Sequence, residues 1–334
     1  MTSPNLQTPP WCVVVADDHG PDWAPRIETN EERTPVQYSR LGGSTTLLQR
    51  ALLRATRIAP ASQVMVTALE EYRNFWEPAL GLVRPEHRFV CENRACSPLT
   101  TAAAMLAVAQ ISPSHVVVVL PARCHVFEET ILEAALDQAV NALPRVPQGA
   151  LTLAMLDVED GVDEDYLLVG PRGGGPGLGV LGMARRPTSW VARHLRKQGA
   201  LIYSGIMVGY AGVFAAHTSK QWPGLTLKLH DIIEAATAIS VESEISLQLS
   251  RGVPNPTLTS LRWHAPAFAQ QAVYVHGCGW SGLRSARAVA RTWDHLAAIA
   301  DFGQAYGARV DNSKPSVWHF YRPPTFEHPI GPSV

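Results

Sequence analysis

The sequence predicts an α/β fold with a mostly parallel central sheet flanked by helices. Short β-branched runs recur along the first half of the chain, and helix-period segments separate them. The chain has 334 residues, 46% of them hydrophobic, enough to bury a large core. A strand–helix–strand rhythm implies right-handed crossovers, and ligands in such sheets bind at the carboxyl ends of the strands, beside a switch in strand order.

The elements follow in order. VVVA at 13–16, VMVT at 64–67, FVC at 89–91 and VVVVL at 116–120 read as buried strands. Residues 45–58 place Leu48, Leu52 and Ala55 on one helix face, with Ser44 or Thr45 as N-cap. Residues 99–111 form an Ala-rich helix, and 127–140 carries Ile131, Ala135, Leu136 and Ala139 at helical spacing. ALTLAML at 150–156 is a further core strand, followed by an acidic stretch from Asp157 to Asp165. PRGGGPGLG at 171–179 lacks the pattern of a phosphate loop and reads as a surface hairpin. Helices at 187–198, 227–239 and 284–300 and a strand at 272–276 complete a domain over 11–300. A Pro- and aromatic-rich C-terminal tail spans 301–334, and its end, KPSVWHFYRPPTFEHPIGPSV at 314–334, cannot continue a helix.

A formal net charge of −1 gives no basic field for nucleic acid. The start, MTSPNLQTPP, lacks the basic and apolar regions of a secretory signal, and the apolar run Val116–Ala122 is too short to span a bilayer. A cytoplasmic protein is expected, its five scattered cysteines reduced.

The first strand runs into a turn where a nucleotide-binding protein places glycines and a cation around phosphate. Here the turn carries Asp17, Asp18, His19 and Asp22 around Gly20, residues that repel phosphate. They read either as a solvated turn or as a rearranged metal site built on Asp17, Asp18 and His19.

The serial order of short motifs resembles the mannose-1-phosphate guanylyltransferases, within the sugar-phosphate nucleotidyltransferases. The resemblance covers about residues 11–295. It is carried by ADDHGPDWAPRI after the first strand, PVQYSRLGGSTTLLQRALLRA at 35–55, ENRACSP at 92–98 and LPARCHVFEE at 120–129. MARRP at 183–187, YSGI at 203–206 and GWSGLRS at 279–285 continue it. The resemblance implies a Rossmann-like, glycosyltransferase-A-like nucleotidyltransferase fold. It maps a vestigial nucleotide and sugar pocket onto Asp17, Asp18, His19, Gly20, Gln37, Asn93, Arg94, Arg123, Cys124, His125, Arg186, Ser204, Gly205, Trp280 and Ser281.

The departures fall at the chemical positions. The loop glycines become Asp17 and Asp18, and the loop arginine becomes Asp22. The family's Pro-Lys-Gln lysine is Val36, its sugar-side asparagine Tyr203, and its Glu-Lys-Pro lysine Arg186. One metal-binding aspartate falls on Arg123 or Cys124, and the second is Gly282. Losing one preorganised electrostatic group removes on the order of 10² to 10³ in rate, so the ordinary chemistry is not expected to survive. No catalytic or metal-binding residue is therefore assigned.

The expected function is that of a degenerate homologue acting as a regulatory, structural or assembly subunit, with GTP or a sugar phosphate as its small ligand. A protein partner or a second copy of the chain is expected, but no nucleic acid. The alternative is an active transferase making a nucleotide sugar such as GDP-mannose with an altered metal site, and Mg²⁺ enters only there. Arg94 and Arg123 are candidates to grip an anion, and Cys96, Cys124 and His125 are the residues zinc would accept. His125, Trp263, Trp280 and Trp293 read as structural or core residues.

Overall fold

The computed structural model describes residues 8–17, 26–28, 33–41, 44–92, 97–156, 164–170, 175–239, 245–247 and 269–305. The chain separates into two compact units, Met1–Trp293 and Asp294–Val334. Residues 306–334, most of the expected tail, lie outside the described residues.

The strands of the first half are β1 (Trp11–Val15), β2 (Arg26–Glu28), β3 (Arg33–Pro35), β4 (Val64–Leu69), β5 (Arg88–Cys91) and β6 (Val116–Pro121). Helices α1 (Leu47–Ile58), α2 (Arg73–Trp76) and α3 (Ser97–Ile111) lie among them. Then come α4 (Glu129–Ala142), β7 (Gly149–Met155), β8 (Tyr166–Val169), β9 (Leu178–Ala184), α5 (Ser189–Lys197) and β10 (Leu201–Tyr210). Helices α6 (Ala211–Gln221) and α7 (Pro223–Ile239), strands β11 (Ile245–Leu247) and β12 (Ala269–Val275), and α8 (Ala286–Ala305) complete the order.

Every anticipated strand and helix is present, with boundaries shifted by a few residues. The cap of α1 is a correction: it is Thr46, whose hydroxyl accepts from the Gln49 N–H at 3.1 Å while Gln49 Oε1 accepts from the Thr46 N–H at 2.8 Å. Helix α1 thereby turns Leu47, Leu48, Ala51, Leu52 and Ala55 into the core.

The main sheet runs β11-β5-β4-β1-β6-β10-β7-β12-β9-β8. Val13, Val14, Val66, Val117, Val118 and Leu120 in its centre are fully buried. Each such side chain contributes roughly 1.5–3 kcal/mol relative to exposure. From β11 to β6 every pairing is parallel. Past β6 the expectation of a mostly parallel sheet fails. Strand β10 is antiparallel to β6, β7 and β8, and β9 is antiparallel to β8 and β12. Strands β8 and β9 are joined by a short connection, and only antiparallel neighbours can be. Because β8 also pairs with β10, the strands β10, β7, β12, β9 and β8 close into a ring.

Cys12, Cys124 and Cys278 are free and buried. Cys91 at the end of β5 is disulfide-bonded, which corrects the expectation of a wholly reduced set. The remaining cysteine, Cys96, lies outside the described residues.

Candidate functional site

From β1 the chain moves outward through β4 to β5, then returns to β6 on the other side of β1. With right-handed crossovers, α1 and α3 cover opposite faces, and the carboxyl ends of β1 and β6 flank the crevice where α/β proteins bind ligands. These ends are tied together: the Ala122 N–H, just past β6, donates to Val15 O at 2.8 Å.

On the β1 side, Asp17 is fully buried. It is not the solvated turn residue that its loop position suggests, because neighbouring elements supply donors for its charge. Thr67 of β4 donates its hydroxyl to Oδ1 at 2.5 Å, and Thr100, in the first turn of α3, donates to Oδ2. Ala16 is also engaged: its N–H donates to Thr67 O at 3.0 Å, and its carbonyl accepts from Gln37 Nε2 at 3.3 Å and Tyr38 Oη at 3.0 Å. Burial, and then the Asp17 charge, push the Tyr38 phenol pKa up.

On the β6 side, Arg123, Cys124 and His125 are all buried. The segment is zipped to the turn after β12: His125 and Ser281 exchange backbone hydrogen bonds at 2.9 and 2.8 Å, and the N–H groups of Phe127 and Glu128 both donate to Cys278 O. Beneath it, Arg54 of α1 makes a bidentate pair with Glu129 at 2.8 and 2.6 Å, with Cys124 Sγ at 3.9 Å from Nη1. Burial raises the Cys124 thiol pKa, so it is no ready nucleophile. His125 packs on Phe127, with ring centroids 4.5 Å apart.

The convergence point was missed by the sequence reading: Glu164 and Asp165, at the end of the acidic stretch. The Asp165 carboxylate accepts from Arg284 Nη1 at 2.5 Å and from the Arg186 N–H at 3.1 Å, while its carbonyl accepts from the Tyr203 N–H at 2.8 Å. One residue thus joins three of the motifs that carry the resemblance. Glu164 is buried against Gly282, with Arg284 Nε at 3.8 Å from its Oε2. Burial raises the Glu164 pKa; the charges of Arg284, Arg123 and Arg291 oppose that shift, and Asp165 adds to it.

The expected pocket residues therefore divide. Gln37 joins Asp17 on the β1 side, and Arg123, Cys124, His125, Trp280 and Ser281 gather on the β6 side. Ser204 and Gly205 lie where the register of β10 shifts between Tyr203 and Met207. Ser204 Oγ donates to Leu153 O at 2.5 Å and accepts from the Ile206 N–H at 3.0 Å, a backbone role. Gly205 has φ +81°, and a Cβ there would lie 2.7 Å from Pro121 Cγ, so only glycine brings β10 this close to the end of β6. Arg186 is exposed and held at φ 38°. Trp280 packs on the core, whereas Trp293 is about half exposed, against expectation. Asp18, His19, Gly20, Asp22, Asn93, Arg94 and Trp263 lie outside the described residues.

Mg²⁺ does not fit the described donors. Among them no group of three or more His, Cys, Asp or Glu side chains could hold a metal ion. Residue 282 has no side chain to offer, and both nearby carboxylates already face Arg284. No helix among the described residues is long and apolar enough to cross a membrane.

No protein-family model matches the chain, and no curated protein matches its sequence. Solved structures do match. A mannose-1-phosphate geranyltransferase from Thermus thermophilus is similar with a TM-score of 0.61 and 17% identity, covering 86% of this chain and 79% of that one. A mannose-6-phosphate isomerase from Helicobacter pylori gives a TM-score of 0.53 and 14% identity, covering 82% and 99%. An apo UDP-glucose pyrophosphorylase gives 0.50 and 11%, covering 88% and 100%. At these identities the likeness is one of fold alone.

Proposed function

We propose that this chain is a catalytically degenerate relative of the mannose-1-phosphate guanylyltransferases, with their glycosyltransferase-A-like fold. It acts as a regulatory, structural or assembly subunit and holds a small phosphate ester without transferring it. The observation that carries this reading is the packing of Glu164 against Gly282, with Arg284, Arg123 and Arg291 around its carboxylate. Where guanylyl transfer needs carboxylates free to hold a divalent cation, this chain has carboxylates matched to guanidinium groups. A guanidinium is always charged and suits phosphate oxygens, so it can support anion binding without metal.

The second reading is an active transferase with a relocated metal site, for which Asp17, Asp18 and His19 of the first loop are the candidates in the sequence. Calorimetric titration with mannose 1-phosphate separates the two. The degenerate reading expects the same affinity in EDTA as in MgCl₂. A requirement for Mg²⁺ would favour the relocated metal site.

A further inference from the structure

We propose that the outward face of α5 is a docking surface for an anionic lipid bilayer, with Trp190 seated among the headgroups and Arg193 and Lys197 drawn to lipid phosphates. The proposal stands apart from whether the chain transfers nucleotides. Helix α5 has two unlike faces. On one, Ala192 is buried and Leu195 packs on the core, where the helix lies against β8. On the other, Trp190, Arg193, His194 and Lys197 follow at helical spacing and are all exposed. Trp190 is 73% exposed, and its indole stacks on the His194 ring with centroids 6.0 Å apart and planes 4° from parallel. Gln198 Nε2 lies 3.1 Å from His194 Nε2 and steadies that ring in turn.

Charge points to the occupant. The sequence has no Asp or Glu between Asp165 and Asp231, whereas Arg185, Arg186, Arg193, Arg196 and Lys197 fall in or just before α5. In a chain of formal net charge −1 this is a concentrated local excess. Neither Arg193 nor Lys197 has a carboxylate partner among the described residues. Their field is available to an external anion, and each cation held near an anionic leaflet adds to the attraction. Shape favours a bilayer over an acidic protein. A protein partner would have to bring a pocket fitted to the projecting indole. The headgroup region of a membrane accepts an amphipathic ring anywhere on its plane, while arginine and lysine stems lie along it and reach the phosphates.

The test is cosedimentation of the full chain with vesicles of phosphatidylcholine alone and of phosphatidylcholine with about 30% phosphatidylglycerol. Binding to the anionic vesicles only is expected, with most of it lost when salt rises from about 0.1 M to about 1 M. The Arg193→Gln/Lys197→Gln double variant should bind about 30-fold more weakly. Trp190→Ala should lose about tenfold. Lys220→Gln/Lys228→Gln removes the same charge from exposed positions on α6 and α7 and should bind as the natural protein does. No binding to anionic vesicles overturns the proposal, as does undiminished binding by either α5 variant or an equal loss in the α6/α7 variant. A chain that ignores vesicles but binds polyglutamate through Trp190 and Arg193 also overturns it, and makes the face a seat for an acidic protein.

Discussion

The Glu164 carboxylate stands where a side chain at Gly282 would begin: a Cβ on Gly282 would lie 2.6 Å from one carboxylate oxygen and 2.7 Å from the other. The same Cβ would also lie 2.8 Å from the Trp280 ring. The position that the resemblance assigns to a metal-binding aspartate thus has no room for any side chain while Glu164 stays in place.

Gly282→Ala is accordingly expected to lower stability by about 1–3 kcal/mol, the usual range for overpacking a filled site. Glu164→Ala should relieve most of that loss, giving a coupling of about 0.5–3 kcal/mol in a double-mutant cycle followed by urea unfolding. Additive effects would mean that the two positions do not share this space. Gly282→Asp should cost more than Gly282→Ala, since it also adds a like charge.

Folding raises the Glu164 pKa, chiefly through burial. Between the ordinary glutamate value and the raised one, the folded protein binds more protons than the unfolded chain. The stability from this group is therefore complete below the unfolded pKa and is lost as pH rises through the folded one. Glu164→Gln removes the titration. Urea unfolding across pH should show the variant gaining on the natural protein as pH rises through this window. Parallel curves would show that the arginines fully offset the burial.

Arg54 and Glu129 form a buried pair with unequal exposure, 2% for the arginine side chain and 28% for the glutamate. Removing Glu129 leaves a guanidinium stranded in the core, whereas removing Arg54 leaves a carboxylate that can reach water. Glu129→Ala is therefore expected to cost about 3–5 kcal/mol, and Arg54→Met clearly less. The reverse order in denaturant titrations would show that packing of the arginine stem, not its charge, dominates.

How much of this was legible in the sequence follows from where the information lies. The strands at Val13 and Val116 announce themselves as unbroken β-branched runs, and both are central strands. Strand β10 was missed although it sits between β6 and β7, because Ser204 and Gly205 interrupt its apolar run at the register shift. In the site, Arg123 and Gly282 stood out against the family pattern. Glu164 and Asp165 did not, being two carboxylates at the end of an acidic stretch that reads as solvated surface. Only the fold, by setting the Asp165 carbonyl on Tyr203 and its carboxylate on Arg284, reveals them as the junction of three distant motifs. The buried seat of Asp17 was equally hidden, since its donors Thr67 and Thr100 are 50 and 83 residues away along the chain.

The central claim is that the fold is retained and the transfer chemistry is lost. It is tested most directly by incubating the purified chain with GTP, mannose 1-phosphate and Mg²⁺ and measuring pyrophosphate. Release no greater than in a protein-free control is expected. Release above that control, abolished by Asp17→Ala or Asp18→Ala, would contradict the account and identify an active transferase with a relocated metal site.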